Sequence, residues 1–175
     1  MPLGLFALVA VGVHAAADLV DDRVLVRLAQ QRYQRLRQDG VAHPRGRDDQ
    51  DAFGHVNNVV YFRWFETSRV DLLNACHSSV TMDGSGLGPI LASMKCDYKH
   101  QLRFPDTVVV GAKVSRIGRS SADISHRIVS CAQGKIIAEG VSVIVVFDYT
   151  AQRVTRIPED LRQQFESLIS DGTIG

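Results

Sequence analysis

The chain has 175 residues, 45% of them hydrophobic and 22% charged, with a net charge of +1. That length and balance suffice for a sizeable apolar core and point to one globular domain. They exclude a surface of one dominant sign, so neither nucleic acid nor an acidic membrane is expected as the main partner.

The chain opens on "MPLGLFALVAVGVHAAADLV", whose apolar run over residues 2–13 is broken by His14 and Asp18. A membrane-spanning helix needs about 18 to 20 apolar residues, so no integral span is expected here. No Lys or Arg precedes the run, which argues against a secretory signal. The next stretch carries Arg23, Arg27, Arg32, Arg35 and Arg37 without a lysine and has the makings of an amphipathic helix. Asp18, Asp21 and Asp22 argue against an acid-poor mitochondrial transit peptide. Residues 1–44 therefore read as an extension ahead of a domain at 45–170. The expected compartment is the cytoplasm, with the mitochondrion left open. Cys76, Cys96 and Cys131 are odd in number and far apart, which suits a reducing compartment better than a disulfide framework.

Residues 39–48, "DGVAHPRGRD", hold Pro44 and Gly46 and are poor material for a central strand. Then comes "DQDAFGHVNN" at 49–58, directly before "VVYFRWFETSRVDLL". Gly54 permits a tight turn, Asn57 is a good helix N-cap, and Asn58 and Val59 offer backbone N–H groups at the start of a long helix. Such a helix end carries partial positive charge and stabilises an oxyanion. Asp51 lies across the turn from it. A carboxylate facing carbonyl-polarising donors can attack an ester or thioester, or activate water for that purpose. Spacing alone equally allows Asp51 and Asn57 to be simple caps.

Within the helix, Phe62, Phe65, Leu72 and Cys76 share a face while Val59, Val60, Trp64, Val70 and Leu73 lie on others, so other elements must wrap it. Glu66 is spaced to pair with Arg69 and Arg63. Its structural role outweighs a catalytic one, but it is the second candidate for the key carboxylate. "DGSGLGP" at 83–89 lacks the spacing of a dinucleotide loop and reads as a flexible connection that gates a pocket. Four strands follow: 88–102, 107–117, 122–132 and 135–149. The links "RFPD", "IGRSS" and "AQGK" imply an antiparallel meander. "PEDLRQQFESLIS" closes the chain as a helix expected at a sheet edge. The six histidines show no ligand spacing, so no metal is proposed.

"DQDAFGHVNNVVYFRWFETSR" followed by "CDYKHQLRFPDTVVVGAKV" closely resembles the hotdog-fold acyl-CoA thioesterases of the 4-hydroxybenzoyl-CoA thioesterase type, over about residues 49–150. The resemblance implies an α+β hotdog, an antiparallel sheet wrapped around one long central helix. It implies Asp51 as nucleophile or general base and Asn58 as the helix end that polarises the thioester carbonyl, with His55, Asn57 and Tyr61 binding substrate nearby. "RIGRSS" is similar to the family's connection to coenzyme A phosphates, on which Arg119 and Ser120 match best, with Arg116 and Ser121 as neighbours. The implied partner is an acyl-CoA substrate in lipid metabolism, with no separate cofactor. A homodimer or homotetramer is implied as well. The alternative is a hotdog that binds an acyl group or acyl-CoA without turning it over.

Overall fold

The computed structural model describes residues 8–10, 49–76 and 78–170. In chain order these form β1 (Leu8–Ala10), α1 (Asn58–Ala75), β2 (Leu87–Tyr98), β3 (Val108–Ile117), β4 (Ser121–Ser130), β5 (Lys135–Asp148), β6 (Arg153–Val154) and α2 (Glu159–Ser170). Apart from Leu8–Ala10, the expected extension and the Pro44 segment lie outside the described residues.

Asn57 starts α1 by accepting the Val59 N–H on its side-chain oxygen at 3.1 Å, and the Cys76 N–H closes the last turn on the Leu73 carbonyl. The buried face runs through Val60, Tyr61, Trp64, Phe65, Ser68, Arg69, Leu72 and Leu73. These positions recur three and four apart, as one stripe of a helix must. The opposite side, including Val59, Arg63, Glu66 and Asn74, is open to solvent in the single chain.

The sheet order is β1-β3-β4-β5-β2, with β6 paired to β5. β3, β4 and β5 form the expected antiparallel meander. β2 departs from it, because it pairs with β5 from Leu87 opposite Asp148 to Tyr98 opposite Ala138. Residues 99–107 must therefore cross from one edge of the sheet to β3 rather than turn as a tight hairpin. Only β5 among the described strands is longer than β2, so it alone can pair along the whole of it. The second departure is β1, which runs parallel to β3 at the opposite edge.

The inner face of the sheet alternates Ala122, Ile124, His126 and Ile128 on β4 with outward polar residues, and α1 lies across this face. Its first half packs with Leu102, Val108, Val110, Ile128, Ile137 and Ala138. The second half packs with Ala112, Val114, Ala122, Ile124 and Ile144, and α2 joins them through Leu161 and Phe165. α2 lies along β3, which beyond Val110 is the edge strand on that side, and there Leu161 and Phe165 meet the apolar inner face.

Two details fix α1 on the sheet. A Cβ added at Gly140 would come within 2.4 Å of the Phe65 ring and 2.7 Å of the Lys95 carbonyl, so a bare backbone is what admits Phe65 there. Beside it the buried His126 bridges Ser68 of α1, at 2.9 Å from Nδ1, and Ser142 of β5, at 2.8 Å from Nε2. The Ser68 hydroxyl already donates to the Phe65 carbonyl, so His126 donates from Nδ1 and accepts from Ser142. Burial, with the Arg69 charge added, lowers the His126 pKa to about 3 and keeps the ring neutral.

Candidate active site

The turn before α1 is built by Asp51 itself. Its backbone N–H bonds the His55 carbonyl at 2.8 Å, and its Oδ1 accepts the N–H groups of Phe53 and His55, both at 2.9 Å. Gly54 sits at φ +74°, a left-handed conformation that favours glycine. The capping reading is thus observed, but it occupies only Oδ1. The other carboxylate oxygen, Oδ2, has His55 Nδ1 at 3.9 Å. The His55 and Phe53 N–H bonds, with the Arg103 charge added, hold the Asp51 carboxyl below its usual range, so it is ionised at neutral pH.

Asn57 takes the next two donors of the helix, the Val59 N–H on its side chain and the Val60 N–H on its carbonyl. Among the described residues no acceptor takes the Asn58 N–H. It is left as the free donor at the positive end of α1.

Asp51, His55, Asn57, Asn58 and Tyr61, five of the residues singled out in the sequence, line one cleft of about 580 Å³. The same cleft is lined by Tyr98, Lys99, His100, Gln101 and Leu102, a stretch that the sequence marks as a strand tail and as part of the family motif but not as a site. The Val56 N–H bonds the Leu102 carbonyl at 2.9 Å, and this link draws the 99–107 crossover against the Asp51 turn. Arg103 follows, donating from Nη2 to His55 Nε2 at 3.1 Å. A polar run with few turn formers, "YKHQLR", was the available signal.

Aromatic rings form one wall. Tyr61 meets Tyr98 edge-on with centroids 5.0 Å apart and Trp64 at 5.3 Å. The Tyr98 hydroxyl donates to the Asn58 carbonyl at 3.4 Å. Burial pushes the Tyr61 phenol well above its usual range and that of Tyr98 up to about 12, so both remain protonated.

Other expected residues lie elsewhere. Arg119 and Ser120 occupy the β3–β4 turn, where their carbonyls accept the N–H groups of Ile157 and Val146. Val146 is eight residues along β5 from Ala138, the partner of Tyr98, so this turn is about 26 Å from the cleft at roughly 3.3 Å per residue. A single chain does not bring them together. Arg116 is held by Asp123 through bonds of 2.7 and 2.9 Å.

"DGSGLGP" begins β2 at the end opposite Tyr98. Its Asp83 carboxylate takes Thr81 and Ser85 hydroxyls and the Ser85 N–H, so it is a pinned turn and not a gate of this cleft. Glu66 is exposed, and among the described residues it makes no ion pair with Arg63 or Arg69. Arg63 reaches Asp49 instead, at 3.0 Å, because the Asp49 turn passes beside the helix end. Arg69 is buried, and among the described residues its Nη1 has no hydrogen-bond partner. Among the described residues there is no group of three metal-ligating side chains, and no helix is long and apolar enough to cross a membrane.

The family model described as the thioesterase-like superfamily matches residues 46–165. An uncharacterised protein of Bacillus subtilis, YsmA, is 28% identical over 54% of this chain, and the match spans 63% of that protein's length. Among solved structures, the PA5185 protein of Pseudomonas aeruginosa is similar at 30% identity and TM-score 0.61, over 69% of this chain and 84% of that one. A thioesterase of Thermus thermophilus complexed with coenzyme A and Zn is similar at 27% identity and TM-score 0.60, over 71% of this chain and 88% of that one.

Proposed function

This chain belongs to the thioesterase-like superfamily, and from that membership we propose that it hydrolyses an acyl-CoA thioester to the free acid and coenzyme A. One observation carries the reading. Among the described residues, a carboxylate oxygen without a hydrogen-bond donor, Asp51 Oδ2, and a helix-end donor without an acceptor, the Asn58 N–H, line the same cleft.

In the proposed mechanism the thioester carbonyl oxygen sits on the Asn58 N–H, which stabilises the negative charge as the carbonyl carbon becomes tetrahedral. Asp51 either attacks that carbon or takes a proton from the water that does. In the first route collapse expels the coenzyme A thiolate and leaves an anhydride on Asp51, which water then hydrolyses. In the second the acid forms directly, and the proton taken by Asp51 passes to the thiolate. Tyr61 and Tyr98 give the acyl group an apolar wall, and His55 and Asn57 hold the turn that positions it. These features support the 4-hydroxybenzoyl-CoA thioesterase type within the superfamily.

Arg119 and Ser120 are proposed to meet the coenzyme A phosphates, for which a guanidinium is well shaped. About 26 Å from their own cleft, they serve that role from a neighbouring subunit, in a homodimer or homotetramer. The Thermus thermophilus relative, bound to coenzyme A, supports such a substrate.

The test is free-thiol release from acyl-CoAs of several kinds by the wild type and Asp51→Asn. Asn retains an oxygen to cap the turn, so the fold persists while the charge is lost. A fall in kcat of about a hundredfold or more is expected. The second reading, binding without turnover, is favoured by the engagement of Oδ1 in the turn; acyl-CoA binding with no thiol release by the wild type would establish it.

A further inference from the structure

We propose that Arg103 is a positioning residue that fixes the tautomer of His55, so that His55 turns an N–H and not a lone pair toward the Asp51 carboxylate.

The inference follows from donor and acceptor inventories. A guanidinium has donors only, and Arg103 Nη2 lies 3.1 Å from His55 Nε2. Nε2 must therefore be the unprotonated nitrogen of the neutral ring. The proton sits on Nδ1, which is 3.9 Å from Asp51 Oδ2. The opposite tautomer would set two N–H groups against each other at Arg103 and a lone pair against a carboxylate at Asp51. Both contacts repel.

His55 is held for this by its backbone, whose N–H goes to Asp51 Oδ1 and whose carbonyl takes the Asp51 N–H. The turn thus fixes the His55 backbone beside the Asp51 carboxylate. The other charged and titratable groups facing Asp51 do not compete for Nε2. Lys99 is drawn to Glu139 at 3.2 Å, Tyr61 and Tyr98 stay protonated, and His100 lines the cleft from the crossover. The Arg103 charge also favours the ionised form of Asp51. Arg103 therefore supports the carboxylate twice, through the tautomer and through its own charge.

That this matters for turnover rests on Asp51 being the reacting carboxylate, but the tautomer can be read without activity. The experiment is nitrogen-15 NMR of the His55 ring in the full chain at neutral pH, for wild type, Arg103→Met and Arg103→Lys. The Nδ1–H form is expected in the wild type and in Arg103→Lys, which still offers only donors. Arg103→Met should shift the ring measurably toward the Nε2–H form, since only the Asp51 contact at 3.9 Å then favours Nδ1–H. An Nε2–H ring in the wild type, or an unchanged Nδ1–H ring in Arg103→Met, overturns the proposal.

With an acyl-CoA that the wild type cleaves, Arg103→Met should lower kcat about tenfold, the scale of one charge-assisted hydrogen bond. The acid limb of its kcat/KM profile should move to higher pH, and Arg103→Lys should restore both. A wild type with the expected tautomer and no thiol release upholds Arg103 as the selector and sinks the hydrolase reading instead.

Discussion

The neutral, buried His126 makes the fold sensitive to mild acid, and His126→Gln tests this. The ring has a pKa of about 3 in the folded protein against an ordinary value of 6.5. Its folded value is depressed, so its contribution is complete above about pH 6.5 and is lost as pH falls toward about 3. Each unit is about 1.4 kcal/mol, so moving from neutrality to about pH 4.5 should cost the wild type roughly 3 kcal/mol through this group. That is a large share of a typical total of about 5 to 15 kcal/mol. Glutamine has a donor and an acceptor to bridge Ser68 and Ser142 but does not titrate. The variant should be weaker than wild type at neutral pH by about 1 to 2 kcal/mol, from imperfect bonds and the lost stacking of His126 on Phe65. Between the two pH values it should lose much less. Asp83, whose pKa falls from 3.8 to about 2, acts only at lower pH and does not confuse the comparison. Urea midpoints at both pH values decide it: equal losses for variant and wild type would refute the assignment.

Gly140→Ala should destabilise by about 1 to 3 kcal/mol by forcing Phe65 off the sheet, measured as a lower thermal midpoint. Asp106→Asn should cost about 1 to 3 kcal/mol, because the amide oxygen can still accept the Thr107 and Ala132 N–H groups on the side of Oδ1, while the amide nitrogen cannot accept from the buried Ser130 hydroxyl that Oδ2 takes. A urea midpoint within error of wild type would contradict that account. Arg119→Ala should raise KM for acyl-CoA about tenfold with kcat unchanged, more at low salt than at high. If the phosphates are met across subunits, mixing Arg119→Ala with Asp51→Asn chains should regain activity at a low KM. No regain after subunit exchange would place Arg119 outside the site.

Local rules made α1 legible, since Asn57 is a cap wherever the chain goes next, and the alternation in β3, β4 and β5 gave their meander. The position of β2 was not legible. Adjacent strands suggest adjacent pairing, whereas the length of β5 and the crossover at 99–107 are properties of the whole sheet. The second side of the cleft was lost for the same reason. Lys99, His100 and Leu102 reach Asp51 only because the Val56 N–H finds the Leu102 carbonyl across sequence. Spacing also misled at Arg63 and Glu66, where a three-residue separation permits an ion pair but Asp49, distant in sequence, takes the arginine. Arg119 illustrates the remaining limit, because a motif match carries no distance, and this turn lies about 26 Å from the Asp51 cleft of its own chain.

Capping and chemistry were competing readings of "DQDAFGHVNN", and the geometry makes the first a condition of the second. A carboxylate free to rotate would lose orientation each time it met water. Here Oδ1 is fixed by two N–H groups of its own turn, which leaves Oδ2 with a set direction and, among the described residues, no donor to satisfy it. Asn57 acts in the same way on the helix. By taking the Val59 and Val60 donors it leaves Asn58 as the open one. An acceptor and a donor that fold without partners cost stability unless water or a ligand reaches them. Both open on the same cleft, where a polarised carbonyl group would satisfy the donor with its oxygen and the acceptor with its carbon.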